Sequence, residues 1–472
     1  MPNEKVAKNI LIIGAGKAGR LLEKDIRQFH PHCHVIGFVD DKPDPKNRLL
    51  IGRIGDMNKL TKLFRIDEMV VAIPSTDGEL VRRILLENIK NHVPIKIVPR
   101  NQKIIRLSQV KYTEVKDVTG EDMLGRPFVR QNIAKVKKFY EGKTVFITGG
   151  AGSIGSDIVR QLLDLDVKKV VVYDNSEYLV FLLEQELKVL GLRDRCELIV
   201  GSILHYNKLD ILMKTIRPDI VFHAAAYKHV HLMQDNIDEA VYNNVIGTKR
   251  VIEAAIGGGV KLFTFISTDK VVNPTSVMGA TKKLCEYYIQ CLKPRGMRFN
   301  IVRFGNVINS NGSALPLFER QIVGQGYVTV THKKMKRFFM SIREAAQLVI
   351  ESTAKGKRDV IHILNMGELI NIYEVALCLI RAMGLVPGKD VEVRIMGLRK
   401  GEKMIEELYT ENERGNMVKT SMDRIFSLKN QDRCPVDIRE TVDTLEEMVK
   451  TGAPQDILRK NLKKIFPSLK NT

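Results

Sequence analysis

An α/β chain built on two doubly wound parallel sheets is predicted by three observations. Two apolar runs, Ile10–Ile13 and Val145–Ile147, each end in a glycine-spaced turn. Each turn opens a stretch with helical spacing of apolar residues. A second apolar run then follows and stops at an aspartate, Asp40-Asp41 in one case and Asp174 in the other. Strands of a parallel sheet covered on both faces read as continuous apolar runs, and strand–helix–strand order requires parallel crossovers.

The 472 residues suffice for two or three domains with ample core. A hydrophobic content of 44% with 28% charged residues describes a globular protein. No run approaches the ~18 apolar residues of a membrane span, and no signal-peptide pattern opens the chain, so a soluble, cytoplasmic protein is expected. The six cysteines form no CxxC pair, which suits a reducing compartment. The net charge of +20 is spread along the chain without a DNA-reading module. Nucleic acid is therefore not the expected partner, while a phosphorylated or nucleotide-sugar substrate and a membrane-proximal pathway stay open.

In chain order, Gly14, Gly16 and Gly19 follow the first strand and match G-x-G-x-x-G. Strands are expected at Val35–Val39, Met69–Ile73 and Ile95–Val98, with a helix from about Asp77 to Asn88. This first Rossmann-like unit, residues 1–125, reads equally well as a nucleotide site or as a retained scaffold, because fold does not fix function. The cluster His30-Pro-His-Cys-His34 has no distant Cys or His pair to complete a metal set, so no metal is expected. Residues 126–142 read as a linker helix, and 143–472 as the second domain.

That domain starts with Val145–Ile147, the loop Gly149, Gly152, Ser153, Ile154, Gly155 and a helical pattern. Asp174 stands 19 residues beyond Gly155 at the end of the next strand. Glycine permits the tight turn and the close approach of a pyrophosphate to a helix N-terminus. The aspartate can accept from ribose hydroxyls, and Asn175 offers no cation to a 2′-phosphate, so the reading is NAD. Further strands are expected at Asp219–His223, Leu262–Ser267 and Asn300–Phe304.

Ligands of such sheets lie beyond the carboxyl ends of the strands. After the strand ending at His223, Ala224 and Ala225 are small enough to admit a ribose or phosphate, and Lys228 or His229 could meet a sugar or phosphate. After the strand ending at Ile266, Ser267-Thr268-Asp269-Lys270 gathers a hydroxyl, an acid and a base. Met278 and Lys282 then share a helical face. With tyrosine in place of Met278 the pair would be a Tyr-x-x-x-Lys dyad. A thioether cannot take a hydroxyl proton, so another group must do so or the site is silent.

Taken together, TGGAGSIGS (148–156), HAAAYKHV (223–230), NNVIGT (243–248), STDKVVNPTSVMGATK (267–282), RFGNV (303–307), GSALPLFERQI (312–322), RFFMSIREAAQLV (337–349) and GLRKGEKMIEEL (397–408) resemble one family. They are similar to the two-domain UDP-N-acetylglucosamine 4,6-dehydratases, extended short-chain dehydrogenase/reductases of bacterial polysaccharide synthesis with a small C-terminal substrate-binding subdomain. The resemblance implies a resident NAD, a UDP-N-acetylhexosamine substrate and a homo-oligomer. It implies that Thr268 relays the C4 hydroxyl proton, and that Asp269, kept protonated by a poorly solvated pocket, donates to the departing C6 oxygen. Lys270, its pKa lowered by burial or cationic neighbours, would remove the C5 proton, and Lys282 would orient the nicotinamide ribose. Asn306, Arg337, Arg399 and Glu402 fall on the substrate side by the same analogy. His231, Ser202, Asn309 and Asn311 depart from the usual pattern, as does the lack of upstream membrane helices. A UDP-sugar 4-epimerase and a silent NAD-binding scaffold are the rival readings.

Overall fold

The computed structural model describes residues 7–42, 47–99, 110–126, 133–292, 296–355, 360–429 and 436–470. Its contacts divide the chain into two compact units. The first gathers Met1–Phe128, Gly312–Met335 and Ile370–Gly397; the second gathers Val129–Asn311, Lys336–Leu369 and Leu398–Thr472. Residues 312–335 and 370–397, expected with the second domain, thus belong to the first unit.

The first unit is a six-stranded sheet made of β1 (Lys8–Ile13), β2 (Cys33–Val39), β3 (Leu50–Gly52), β4 (Glu68–Val71), β5 (Ile95–Ile97) and β6 (Lys116–Asp117). The order is β3-β2-β1-β4-β5-β6, parallel except for β6. Ile10, Leu11, Ile12 and Ile13 are fully buried, as expected for a central strand covered on both faces. Helix α1 (Lys17–Phe29) follows the first glycine turn. A later helix starts at Gly78 because the Asp77 side chain accepts from the Leu80 amide at 3.2 Å. In the same unit the helix Ile372–Ala382 is fixed by Arg381, which is fully buried. Its guanidinium donates to the Asn88 carbonyl at 2.8 Å, to Asn91 Oδ1 at 3.2 Å and to the Val93 carbonyl.

The second unit repeats the plan with β7 (Thr144–Thr148), β8 (Lys169–Asp174), β9 (Cys196–Val200), β10 (Ile220–His223), β11 (Leu262–Ile266) and β12 (Arg298–Arg303). Their order, β9-β8-β7-β10-β11-β12, continues into Val360–Leu364 and an antiparallel edge of Ile425–Leu428 and Met417–Lys419. The order reverses between β8 and β10 on either side of β7, which opens a crevice at their carboxyl ends. Helix α2 (Ser153–Leu163) rises from the glycine loop. Helix α3 (Val277–Cys291) starts where Ser276 accepts from the Gly279 amide at 3.1 Å.

The expected strands are all present, with no end moved by more than two residues. Of the expected linker helix, Ile133–Tyr140 is helical and 127–132 lie outside the described residues. No helix among the described residues is long and apolar enough to cross a membrane.

Candidate active site

The glycine loop of the second unit is fixed by its contacts. Gly149 has φ +65, and a Cβ there would fall 2.6 Å from the Ala225 amide nitrogen, so the loop lies directly on the segment after β10. Only glycine satisfies both conditions. Its amide donates to the Tyr173 carbonyl at 2.8 Å, and the Ala151 amide donates to Asp174 Oδ2 at 3.0 Å. The end of β8 thereby holds the loop open.

Two clefts meet here. One, of about 710 Å³, is lined by the loop, Ala224, Lys228, His229, Thr268, Lys270, Met278, Lys282 and Asn306. The other, of about 190 Å³, is lined by Asp174, Ala224 and Ala225 and shares Gly149 and Gly152 with the first. A dinucleotide fits this donor set. Gly152 and the start of α2 would receive the pyrophosphate, Asp174 the adenosine ribose, and Lys282 the nicotinamide ribose.

The floor is set by buried polar pairs. His223 at the end of β10 is fully buried. Thr248 Oγ1 donates to the Asn244 carbonyl at 2.5 Å and so accepts from His223 Nε2 at 2.9 Å. Nδ1 is left to accept from Thr148 at 2.6 Å. Burial, and then the Lys282 charge, hold His223 well below its usual pKa, so this neutral tautomer persists. Asn244, in a short stretch of π-helix (Val241–Ile246), bonds both the amide and the carbonyl of Tyr227 at 2.8 and 3.0 Å. It also reaches Thr281 of α3 at 3.2 Å. The loop carrying Lys228 and His229 is thus pinned to the helix carrying Met278 and Lys282.

At the end of β11 the expected trio is joined. Asp269 Oδ1 accepts from Thr268 Oγ1 at 2.9 Å and from Lys270 Nζ at 2.9 Å, and Lys270 also donates to Asn306 Oδ1 at 3.1 Å. Thr268 and Lys270 lie on the cleft wall. Asp269 is fully enclosed behind them, its Oδ2 without a hydrogen-bond partner among the described residues. Lys282 lies 3.9 Å from the centroid of the Phe265 ring, and burial pushes its pKa down to about 8. Burial also lowers Lys228, with Lys270 adding repulsion; it lowers His229 too, helped by Lys228 and His231.

Lys270 is a correction. Burial pushes it down as expected, but the Asp269 charge, the Glu406 charge and the Asp269 hydrogen bond outweigh burial, and its pKa is raised. The cationic neighbour Arg337 does lower it, but less than the two carboxylates raise it.

The substrate-side residues divide. Lys228, His229 and Asn306 line the cleft. Arg337 is buried and donates to the carbonyls of Lys336, Lys403 and Met404 at 2.8–3.2 Å, with Glu406 at 3.8 Å. Arg399 is exposed, and Glu402 closes a local turn by accepting the Arg399 amide at 3.0 Å. None of these three is among the cleft-lining residues. In this segment it is Glu406 that joins the charge cluster. Burial raises its pKa, partly offset by Lys270.

Sequence reasoning also missed the framework behind β11. Arg303, fully buried, donates to both oxygens of Glu286 at 2.8 and 2.7 Å and to both of Glu413 at 2.8 and 2.9 Å. Glu286 accepts in turn from Ser267, the residue before Thr268, at 2.7 Å. No spacing signal links these residues, although charges inside the apolar periodicity of α3 were a hint.

Fold and site together define a short-chain dehydrogenase/reductase of the extended, dehydratase/epimerase-like kind. The chain belongs to the polysaccharide biosynthesis protein family, whose pattern matches residues 145–430. It is 39% identical over 413 residues to a probable polysaccharide biosynthesis protein, EpsC, of Bacillus subtilis, covering 85% of this chain and 68% of that one. At lower coverage it is 31% identical over 307 residues to a UDP-glucose 4-epimerase of Rickettsia bellii, 63% of this chain and 84% of that one. It is 29% identical over 273 residues to an inverting UDP-N-acetylglucosamine 4,6-dehydratase of Campylobacter jejuni, 57% and 77% of the two chains. Among solved structures, Pen of Bacillus thuringiensis superposes with a TM-score of 0.58 at 33% identity, over 66% of this chain and 98% of its own.

Proposed function

We propose that the chain is an NAD-dependent 4,6-dehydratase of UDP-N-acetylglucosamine or a close UDP-N-acetylhexosamine, forming a UDP-4-keto-6-deoxy sugar. The observation that carries this reading is the hydrogen-bonded group Thr268–Asp269–Lys270, whose Thr268 and Lys270 line the same cleft as the glycine loop and Lys282. Bound NAD would supply the hydride acceptor for C4 and the hydride donor for C6.

The chain's own groups manage the protons. Thr268 accepts from the C4 hydroxyl as its own proton passes along the 2.9 Å hydrogen bond to Asp269 Oδ1. Met278 beside it has no ionisable group to compete. Asp269 is then a neutral acid. Neutralising it removes the largest charge that holds Lys270 up, and burial then favours the free amine, whose proton leaves to solvent. The amine takes the C5 proton, acidified by the C4 ketone. Asp269 returns its proton through Thr268 to the departing C6 oxygen, which leaves as water. Lys270 then returns a proton to C5 and regains one from solvent. Lys228 suits the diphosphate as a cation on the cleft wall.

A 4-epimerase needs no group to expel the 6-hydroxyl, so the acid–amine pair favours dehydration. Incubation with UDP-N-acetylglucosamine in D₂O tests this directly. The expected product has lost one water and carries deuterium at C5. An epimer, or unchanged substrate with NAD bound, would overturn the reading.

A further inference from the structure

We propose that the first unit holds a second nucleotide site, for a nucleoside diphosphate with a free ribose diol. The site is a cleft of about 590 Å³ at the carboxyl ends of β1, β2 and β4, lined by Gly16, Lys17, Asp40, Thr76 and Arg83 together with apolar residues such as Ile54. It does not depend on the reaction proposed above.

The loop from Gly14 to Gly19, one residue shorter than that from Gly149 to Gly155, makes three matching contacts. The Gly14 amide donates to the Val39 carbonyl at 2.8 Å, as Gly149 does to Tyr173 at 2.8 Å. The Ala15 amide donates to Asp40 Oδ2 at 2.8 Å, as Ala151 does to Asp174 Oδ2 at 3.0 Å. A Cβ on Gly19 would fall 2.0 Å from the Gly14 carbonyl oxygen, and one on Gly155 would fall 2.2 Å from that of Gly149.

Packing accounts for those glycines but not for Gly16. Its φ of −71 and ψ of −168 suit any residue, and a Cβ there would meet nothing within 4 Å. The space kept clear is cleft space, before the N-terminus of α1, whose first turn holds no acidic residue. That position suits a diphosphate. Asp40 accepts the Ala15 and Lys42 amides on separate oxygens and retains acceptor capacity for two ribose hydroxyls. Asp41 beside it pairs with Arg83, and the adjacent acids disfavour a 2′-phosphate. The apolar residues offer a surface to a base.

The test is calorimetric titration of the full chain with ADP and, separately, with UDP, in the wild type, Gly16→Val and Gly152→Val. One nucleotide should bind at a site whose affinity falls at least about tenfold in Gly16→Val and is unchanged in Gly152→Val. NAD content and melting temperature of Gly16→Val should match the wild type. Whichever nucleotide binds identifies the base. Hydrogen exchange of residues 14–20 in the wild type, slowed by that nucleotide, decides the matter even if Gly16→Val does not fold. If neither ADP nor UDP binds at a Gly16-sensitive site or slows exchange there, the proposal fails.

Discussion

The two units share a glycine loop, a strand order and an aspartate that braces the loop, yet they differ in what stands beyond the other strand ends. In the second unit, β11 ends in Thr268, Asp269 and Lys270, with Arg303, Glu286 and Glu413 buried behind them. In the first, β5, which holds the same place in the sheet, leads into Val98 and Pro99, β4 leads into Ala72, Ile73, Pro74, Ser75 and Thr76, and the unit's fully buried Arg381 is held by backbone carbonyls and one asparagine. On the two readings proposed above, the loop geometry is what would hold a nucleotide in each unit. Reaction chemistry requires a second set of residues, placed by strands on the far side of the switch point and oriented by buried charge.

The widest gap between the units should open at the strand end. Lys270→Ala and Asp269→Asn should each lower turnover by about 10²–10⁴-fold while the purified chain keeps its NAD, as measured by product formation and by cofactor content. Retained turnover in either variant would erase the distinction.

Next come the buried arginines. Arg303→Met takes the bidentate partner from two buried carboxylates, leaving them Lys283 at 3.5 and 4.0 Å, and should cost about 3–5 kcal/mol in urea denaturation. Arg381→Met leaves only neutral acceptors unpaired and should cost about 1–3 kcal/mol. Equal losses would mean that the charge framework adds nothing peculiar to the second unit.

Lys282 gives the comparison a pH dependence. With its pKa lowered to about 8 from 10.5, the unfolded chain binds more protons than the folded chain between those values. Stability therefore rises with pH across that window, because below about 8 the folded chain bears a buried charge. The wild type should gain about 3 kcal/mol relative to Lys282→Met between pH 8 and 10.5 in denaturation curves. A flat difference would place the ammonium in solvent.

The smallest effect belongs to the periphery of the second unit. Glu446 accepts from Lys249 at 2.8 Å and pairs with Lys450 at 3.0 Å. Burial raises its pKa, but these lysines outweigh burial and bring it from 4.5 to about 2. Its contribution is present above pH 4.5 and is lost as pH falls towards 2. Glu446→Gln should cost about 1–2 kcal/mol at pH 7 and nothing at pH 2.

Much of this was legible in the residues alone. Runs such as Ile10–Ile13 and Val145–Ile147 fix buried parallel strands, and the spacing of Gly149, Gly152 and Gly155 fixes the turn and the helix that follows. Asp174 and Asp40 announce themselves by ending the second strand of each unit. These features depend on neighbours a few residues away, where backbone sterics and local hydrogen bonds operate. What the segment at 397–408 does was not legible, for Glu402 serves a local turn while Glu406, further along the same irregular segment, reaches the charge cluster.

The sequence by itself therefore determined the two sheets, both loops and the residues grouped at 267–270, because each follows from short-range periodicity and conformational preference. Only the tertiary structure decided that Lys270 is held up rather than pushed down, that Asp269 sits behind the wall, and that Arg337 is committed to backbone carbonyls. A pKa and a pairing are set by the field of charges drawn together from distant segments, and no window of the chain contains that field.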